Sequence, residues 1–145
     1  MKISITQIVH PDTDLRTEML QIGQECPEFI GFWDSETILR LMTSKDGLCL
    51  VARDVSDDKR KLVGFSLGTY QPITRKFQWE NMWVDPNYRN LRIARSFTTR
   101  TIESAKVCGA NLIVADVFSN VASKILEKHF GFKKQGSFHY LRLTT

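Results

Sequence analysis

Apolar and polar residues follow one another along the chain with two periods, about 3.6 residues in some segments and two in others. The 3.6-residue segments predict four amphipathic helices, three of which end at a glycine. The predicted helices begin at Asp12 or Thr13, at Asp34 or Ser35, at Ile93 and at Asn120. The glycines that end the last three of them are Gly47, Gly109 and Gly131.

The segments of period two, and one short apolar run, predict six strands. They are Lys2–Val9, Leu48–Arg53, Leu62–Tyr70, Phe77–Val84, Leu112–Phe118 and Phe138–Leu143. The second, third and fourth are joined by short turns, which is typical of an antiparallel meander. The order β-α-α-β-β-β-α-β-α-β predicts a mixed α/β (α+β) fold with a mostly antiparallel central sheet, built as one domain over residues 1–145.

Composition agrees with this picture, since 42% of the 145 residues are hydrophobic and 25% are charged, as in soluble globular proteins. No apolar run reaches the roughly 20 residues that a membrane-spanning helix needs. The first residues contain no long apolar segment of the kind found in secretory signals. We therefore expect a cytoplasmic protein without a membrane partner.

Cysteine and histidine do not form a metal-binding pattern in this sequence. Cys26, Cys49 and Cys108 are widely spaced and include no CxxC pair, so neither a zinc site nor a disulfide framework is predicted. The histidines are scattered in the same way, at His10, His129 and His139. Cys49 and Cys108 have apolar or small neighbours and are expected to be buried thiols.

Positive charge is concentrated after the strand that ends at Val84. Between Pro86 and Ala110 the only acidic residue is Glu103, against Arg89, Arg92, Arg95, Arg100 and Lys106. A strand, a tight turn and a helix start follow one another there, and free backbone N–H groups at a helix start can bind phosphate. An anion site and a solvated turn with an ordinary polar helix face both agree with these residues.

The same segment resembles the coenzyme A-binding motif of the GNAT acetyltransferases, Arg/Gln-x-x-Gly-x-Gly/Ala. The matching residues are Arg89-Asn90-Leu91-Arg92-Ile93-Ala94, after a lead-in from Glu80 to Pro86 that is similar to the family's E-x-L-x-V-x-P. Asn120 precedes Phe132 of a Gly-Phe pair by twelve residues, as a second family element requires. The resemblance covers nearly the whole chain and is strongest from Phe77 to Phe132.

This resemblance implies acetyl-coenzyme A as co-substrate, without a metal, and direct transfer of its acetyl group to a primary amine. The pantetheine arm would pair with the backbone of Met82, Trp83 and Val84. The pyrophosphate would lie on Arg89, Asn90, Leu91, Arg92, Ile93, Ala94, Arg95 and Ser96. Asn120 would contact the pantetheine from the other side, although a helix N-cap explains the same residue equally well.

Two positions depart from the family pattern. Arg92 stands where the family has a glycine, and its side chain either points outward, where it can contact phosphate, or blocks the site. Glu127 stands where many relatives have the tyrosine proposed to protonate the leaving thiolate. The general acid is therefore unassigned, with water, Ser119, Ser123 or a nearby tyrosine as candidates.

The resemblance also indicates where a base and an acceptor would lie. Glu80 is our candidate base, on the same side of its strand as Gln78 and Met82 by the period of two. An exposed strand residue without a role is the competing interpretation of Glu80.

An aromatic wall is expected on the acceptor side of the cleft. Trp33 and Tyr70 are the predicted acceptor contacts, and Trp79 and Trp83 are expected to face the same cleft. Ordinary core packing competes with this interpretation for most of these aromatic residues. The acceptor itself is an amine-bearing small molecule or protein that the sequence does not identify, and a homodimer would be in keeping with the family.

Two other functions stay open at this stage. Arg92 and Glu127 are also compatible with a catalytically weak or inactive interaction protein of the same fold. A basic nucleic-acid-binding module would draw on the arginines interleaved with Tyr88 and Phe97, but a net charge of +4 is mild for that role and disfavours it.

Overall fold

The strands form one seven-stranded sheet in the computed structural model, which describes residues 1–10, 12–25, 35–116, 120–136 and 138–143. The strands are β1 Ile3–Gln7, β2 Gly47–Asp54, β3 Leu62–Gln71, β4 Lys76–Val84, β5 Leu112–Asp116, β6 Lys133–Gln135 and β7 Phe138–Arg142. Their spatial order is β1-β2-β3-β4-β5-β7-β6. The β4–β5 pair is parallel and the other neighbours are antiparallel.

Helices cover both faces of this sheet. They are α1 Thr13–Glu25, α2 Ser35–Thr43, α3 Ile93–Cys108 and α4 Asn120–Phe130, with a short 3-10 helix over Pro86–Leu91. The predicted mixed α/β fold and its order of main elements are confirmed, with β6 and the 3-10 helix as additions. Gly47 was predicted to end α2, but the helix stops at Thr43 and Gly47 begins β2. No described helix is long and apolar enough to cross a bilayer.

Each face of the sheet has its own hydrophobic core. On one face, α1 and α2 cover a cluster that includes Leu15, Met19, Ile38, Phe65 and Trp83. On the other face, α3 and α4 cover a cluster that includes Phe77, Trp79, Val84, Phe97 and Leu126. The side of the sheet that a β4 residue faces can therefore be read from the cluster it joins.

A β-bulge interrupts the pairing of β4 with β3. Leu67 pairs with Asn81 and the next residue, Gly68, pairs with Trp79, so Glu80 is an extra residue on β4. The bulge shifts the alternation of side chains by one position. This shift explains why a prediction based on an unbroken period of two is wrong beyond Trp79.

The shifted alternation corrects two predictions. Phe77 and Trp79 before the bulge, and Met82 and Val84 after it, all pack on the α3–α4 side, so Gln78 and Met82 do not share a face. Trp83 packs on the α1–α2 side. The two tryptophans of β4 therefore lie on opposite faces of the sheet, rather than in one cleft.

The parallel strands β4 and β5 diverge near the bulge. They pair from Lys76 opposite Leu112 to Trp79 opposite Ala115. Beyond this point β4 continues to Val84 against β3, while Asp116 at the end of β5 pairs only with β7 among the described strands. Among the described residues the pairing of β4 with β5 therefore ends at Trp79 and Ala115; we call the space beyond this pair the opening, and the pair its closed end.

The cysteines differ in their surroundings. Cys49 is buried as predicted, and burial raises the pKa of its thiol to about 12. Cys108 was also expected to be buried, but it lies exposed in the last turn of α3. Cys26 lies outside the described residues.

Candidate active site

The backbone of β4 turns polar groups toward the opening. The N–H of Asp85 donates to the carbonyl of Val63 on β3 at 2.8 Å. Because successive residues of a strand direct their backbone groups to opposite edges, those of Val84 and Met82 point toward the β5 side. Arg89 Nε reaches the Val84 carbonyl from there, at 3.4 Å. This edge can therefore pair with an extended ligand that carries amide groups.

The turn after β4 is held by two side chains. Asp85 begins the 3-10 helix, where its Oδ1 accepts from the N–H of Asn87 at 2.9 Å. Its Oδ2 lies 3.1 Å from Nζ of Lys61. The Tyr88 hydroxyl donates to Oδ2 of Asp54 at 2.8 Å, which links the turn to the end of β2.

The pKa values of this last pair shift in opposite directions. Hydrogen bonds from Ser56, and then from Tyr88, lower the pKa of the Asp54 carboxyl. The bond to Asp54 raises the pKa of the Tyr88 phenol, because losing its proton would place two negative charges together. Two side-chain contacts, Asp85 with Lys61 and Tyr88 with Asp54, therefore hold the turn in place before α3 begins.

Helix α3 begins without a side-chain cap. Arg92, its N-cap residue, has φ 62° and ψ 20°, which is the left-handed conformation that glycine adopts most readily. The first intrahelical bond joins the N–H of Ser96 to the carbonyl of Arg92 at 3.0 Å. The N–H groups of Ile93, Ala94 and Arg95 therefore form the free first turn of the helix, a site of partial positive charge.

The arginines around this helix start are accessible. Arg89, Arg92 and Arg95 are all exposed, and Arg95 Nη2 lies 3.3 Å from Nε2 of His129 on α4. Arg92 thus has a left-handed backbone conformation, and its side chain lies at the surface. The predicted side-chain contacts of Asn90, Leu91 and Asn120 lie outside the described residues.

Two carboxylates flank the opening between β4 and β5. Trp79 and Ala115 are the last pair, so the residues that follow them, Glu80 and Asp116, stand on either side of its closed end. Partial desolvation raises the pKa of the Glu80 carboxyl, and the charge of Asp116 raises it further, against a smaller opposing effect of Lys76. Glu80 is thus a stronger base than an ordinary glutamate.

Asp116 was not among the predicted site residues. No local signal marks it, because Asp116 stands inside the apolar run Leu112–Phe118 that predicts a single strand, and only the pairing of β4 with β5 places it at the opening.

The aromatic residues predicted for the acceptor cleft lie on both faces of the sheet, as far as the structure describes them. Tyr70 packs on the α3–α4 side, with its hydroxyl beside Gly109 at the end of α3. Trp83 is buried on the opposite face, stacked on Phe65 with ring centroids 5.6 Å apart. Trp33 lies outside the described residues.

A buried histidine joins two residues of α4. His139 on β7 is 1% exposed, and its Nε2 lies 2.8 Å from Oγ of Ser123 and 3.1 Å from Oε1 of Glu127. Its Nδ1 has no hydrogen-bond partner among the described residues. The sequence did not indicate this cluster, since Ser123 and Glu127 are 16 and 12 residues from His139 and only the pairing of β5 with β7 brings them together.

Within the described chain, no three His, Cys, Asp or Glu side chains are grouped so as to hold a metal ion. The chemical groups that the site does offer are backbone amides, a free helix start, exposed arginines and a base at the closed end of the opening.

Comparison with known proteins identifies this arrangement. The model of the acetyltransferase (GNAT) family matches residues 14–132. No curated protein matches the sequence at a significant level. Three solved structures illustrate the likeness, all below 25% sequence identity, where similarity concerns the fold alone.

The ribosomal-protein-S18-alanine N-acetyltransferase of Escherichia coli is 15% identical, with a TM-score of 0.75 over 99% of this chain and 96% of that one. The PaiA N-acetyltransferase of Thermoplasma acidophilum, solved in complex with coenzyme A, is 18% identical, with a TM-score of 0.74 over 99% of this chain and 100% of that one. Nourseothricin acetyltransferase is 20% identical, with a TM-score of 0.58 over 68% of this chain and 66% of that one. Since the family model spans most of the sequence, the chain belongs to the GNAT family of acetyltransferases.

Proposed function

We propose that this protein transfers the acetyl group of acetyl-coenzyme A directly to a primary amine. The observation that carries the proposal is the opening between β4 and β5, which lies beside the uncapped start of α3. The β4 edge of the opening can pair with an amide-containing arm, and the start of α3 can bind a pyrophosphate.

Acetyl-coenzyme A would be held mainly by backbone groups. Its pantetheine amides would pair with Met82 and Val84, and its pyrophosphate would accept from the N–H groups of the residues that follow Arg92. The left-handed backbone at Arg92 supports this arrangement, because it opens the helix start as a glycine would. The arginine side chains would add charge-assisted hydrogen bonds to phosphate.

The reaction would begin when Glu80, directly or through a water molecule, takes a proton from the acceptor ammonium. The freed nitrogen lone pair forms a bond to the thioester carbonyl carbon, the C–S bond breaks with its electron pair on sulfur, and the nitrogen passes its second proton to water, which leaves a neutral amide. General-base assistance contributes about 10²–10⁴-fold. An N–H of β4 near Met82 to Val84 would stabilise the negative charge on the carbonyl oxygen.

The acceptor would be an amine on a small molecule or a protein. Its ammonium form suits the negative charge of Glu80 and Asp116 at the closed end of the opening. We keep Trp33 and Tyr70 as predicted acceptor contacts, with Tyr70 the weaker of the two because it lies beside Gly109.

Two measurements test the proposal. Calorimetric titration with acetyl-coenzyme A should show one site per chain, and incubation with a panel of amines should release thiol in proportion to acetylated amine. No binding at roughly millimolar acetyl-coenzyme A would contradict the proposal and favour an interaction protein. Binding of nucleic acid that weakens steeply with salt and ignores coenzyme A would favour the nucleic-acid module instead.

A further inference from the structure

The Ser123–His139–Glu127 cluster lies next to the closed end of the opening. His139 pairs with Ala115 across β5 and β7, and Ala115 pairs with Trp79 across β4 and β5. Since neighbouring strands are about 4.8 Å apart, His139 is about 5 Å from Ala115 and about 10 Å from Trp79 across the sheet. Ala115 and Trp79 both belong to the core under α3 and α4, so the imidazole faces α4.

The contacts of the imidazole assign its proton. An ionised carboxylate only accepts hydrogen bonds, so the contact of Nε2 with Glu127 places the proton on Nε2. Nδ1 then carries a lone pair, which agrees with its lack of a donor or acceptor partner among the described residues: a buried unpaired acceptor costs less than a buried unpaired N–H.

This assignment fixes the role of the serine hydroxyl. Facing an N–H at 2.8 Å, Oγ of Ser123 accepts from His139. The hydroxyl proton of Ser123 must then point away from the ring, and among the described residues it has no other partner. Ser123 is only partly buried, so a ligand group can approach it.

We propose that Ser123 donates a hydrogen bond to the sulfur of the departing coenzyme A thiolate, and that His139 is a positioning residue that holds the serine in this orientation. The proposal rests on the proposed acetyl transfer. No proton leaves Ser123: the C–S electron pair stays on sulfur as a thiolate, and the proton of the amine goes to Glu80 or water. Glu127 acts only through His139, by keeping the proton on Nε2.

Stabilisation of the thiolate by Ser123 should be measurable in the equilibrium binding of coenzyme A, without any acetyl transfer. The thiol of free coenzyme A is an alkyl thiol, so its ionised fraction rises with pH and is larger at pH 9 than at pH 7. Desulfo-coenzyme A has no sulfur but keeps the rest of the molecule. The ratio of the two affinities at each pH cancels the effect of the charged groups Glu80, Asp116, Lys124 and Lys134 on the rest of the molecule. Comparison with a serine variant then separates the serine contact from the effect of these charges on the sulfur.

For the unmodified protein, the affinity ratio of coenzyme A to desulfo-coenzyme A should rise about tenfold from pH 7 to pH 9. Ser123→Ala should abolish this rise and leave the affinity for desulfo-coenzyme A unchanged, whereas Ser123→Thr should retain it. Ser104→Ala on α3 is the matched control and should behave as the unmodified protein.

The role of His139 has its own variants. His139→Gln keeps a side-chain N–H donor and should retain most of the rise, whereas His139→Phe should lose it. Thermal unfolding followed by circular dichroism identifies a variant that does not fold, and in that case Ser123→Ala and His139→Gln still decide the question.

Each outcome has one interpretation. If the unmodified protein binds both ligands with the same ratio at both pH values, or if Ser123→Ala keeps the rise, the thiolate contact is wrong while the proposed function stands. If the protein binds neither ligand, the proposed function itself fails.

Discussion

Arg92 holds a backbone conformation that an L-residue adopts at a cost of about 1–2 kcal/mol. Its side chain is exposed and makes no capping bond, so no contact with the described residues offsets that free-energy cost in the free protein. We expect the cost to be offset in the proposed complex with acetyl-coenzyme A, where the guanidinium would lie near the phosphates.

Arg92→Gly should therefore raise the free energy of unfolding by about 0.5–1 kcal/mol, since relief of strain exceeds the extra chain entropy of glycine. Urea denaturation measures the change. Arg95→Gly, which places glycine in the regular helix, is the control and should lower stability by about 1 kcal/mol. Loss of stability in Arg92→Gly would show that the arginine is not strained.

Glu80→Gln should reduce the rate of acetyl transfer about 10²–10⁴-fold without weakening acetyl-coenzyme A binding. The same variant should be more stable than the unmodified protein at pH 7. Because the Glu80 pKa is raised by folding, the folded state disfavours the carboxylate, and glutamine removes that charge. Glu103→Gln, an exposed change on α3, should alter neither quantity.

Asp116→Asn should move the acidic limb of the kcat/KM profile to lower pH. The charge of Asp116 helps to raise the Glu80 pKa, so its removal lets Glu80 ionise at a lower pH and act as base over a wider range. A profile from pH 4 to 9 for both proteins measures the shift. An acidic limb that stays in place would mean that Glu80 is not the titrating base.

At the scale of elements, the close packing of β3 against β4 depends on Gly68. A methyl group at this position would lie 2.5 Å from Cε1 of Phe77 and 2.9 Å from the carbonyl oxygen of Gln78. Gly68 is also the residue at which the register changes opposite the bulge. The bulge that presents Glu80 is thus built on a position that accepts no side chain.

Gly68→Ala should lower the free energy of unfolding by about 1–3 kcal/mol, because the Phe77 ring and the β4 backbone must both shift. Gly64→Ala is a graded control on the same strand. Its nearest contact would be 3.1 Å, from the Trp83 carbonyl, so a smaller loss is expected. Equal losses would show that the clash at Gly68 is relieved by movement of the ring alone.

The periodicity of the sequence predicted most elements, and the reasons for its failures are physical. A bulge inserts one residue into a strand without a recognisable change in composition. Nothing in the sequence near Glu80 therefore indicated that Trp79 and Trp83 lie on opposite faces of the sheet. β6 consists of three exposed polar residues and has no alternation to detect. The helix start at Ile93 was found because strand, turn and helix periods follow one another there.

The candidate site was predictable where its residues are close in sequence. Arg89 to Ser96 form one turn and helix start, which the motif located directly. Asp116 and His139 join the site through strand pairing over long distances in sequence, and no local pattern encodes that pairing. Their roles could therefore be inferred only from the three-dimensional structure.

For the whole molecule, the net charge of +4 is modest, and the clustering of arginines around one helix start says more about the ligand than the net charge does. Coenzyme A affinity should fall as salt rises, because exposed arginines contact phosphate. Arg89→Gln combined with Arg95→Gln should weaken binding and flatten this salt dependence. Lys45→Gln, in the α2–β2 turn, is the control of like charge and should change neither the affinity nor its slope.

The two faces of the sheet differ in the residues that they present. The α1–α2 side supplies a closed apolar core around Met19 and Phe65. The α3–α4 side carries the helix start, the serine and glutamate of α4, and the buried histidine of β7. Substitutions on the first side should mainly affect stability, while polar substitutions near the opening should mainly affect chemistry.

The short strand β6 has a consequence for how copies of this protein meet. It ends the sheet with three exposed residues, two of them the lysines Lys133 and Lys134. The unpaired backbone of a sheet edge is a template on which another chain can add a strand, and short edges rich in lysine resist such addition. Two copies that approached through this edge would bring four ammonium groups together, so extension of the sheet from one molecule into the next is disfavoured there.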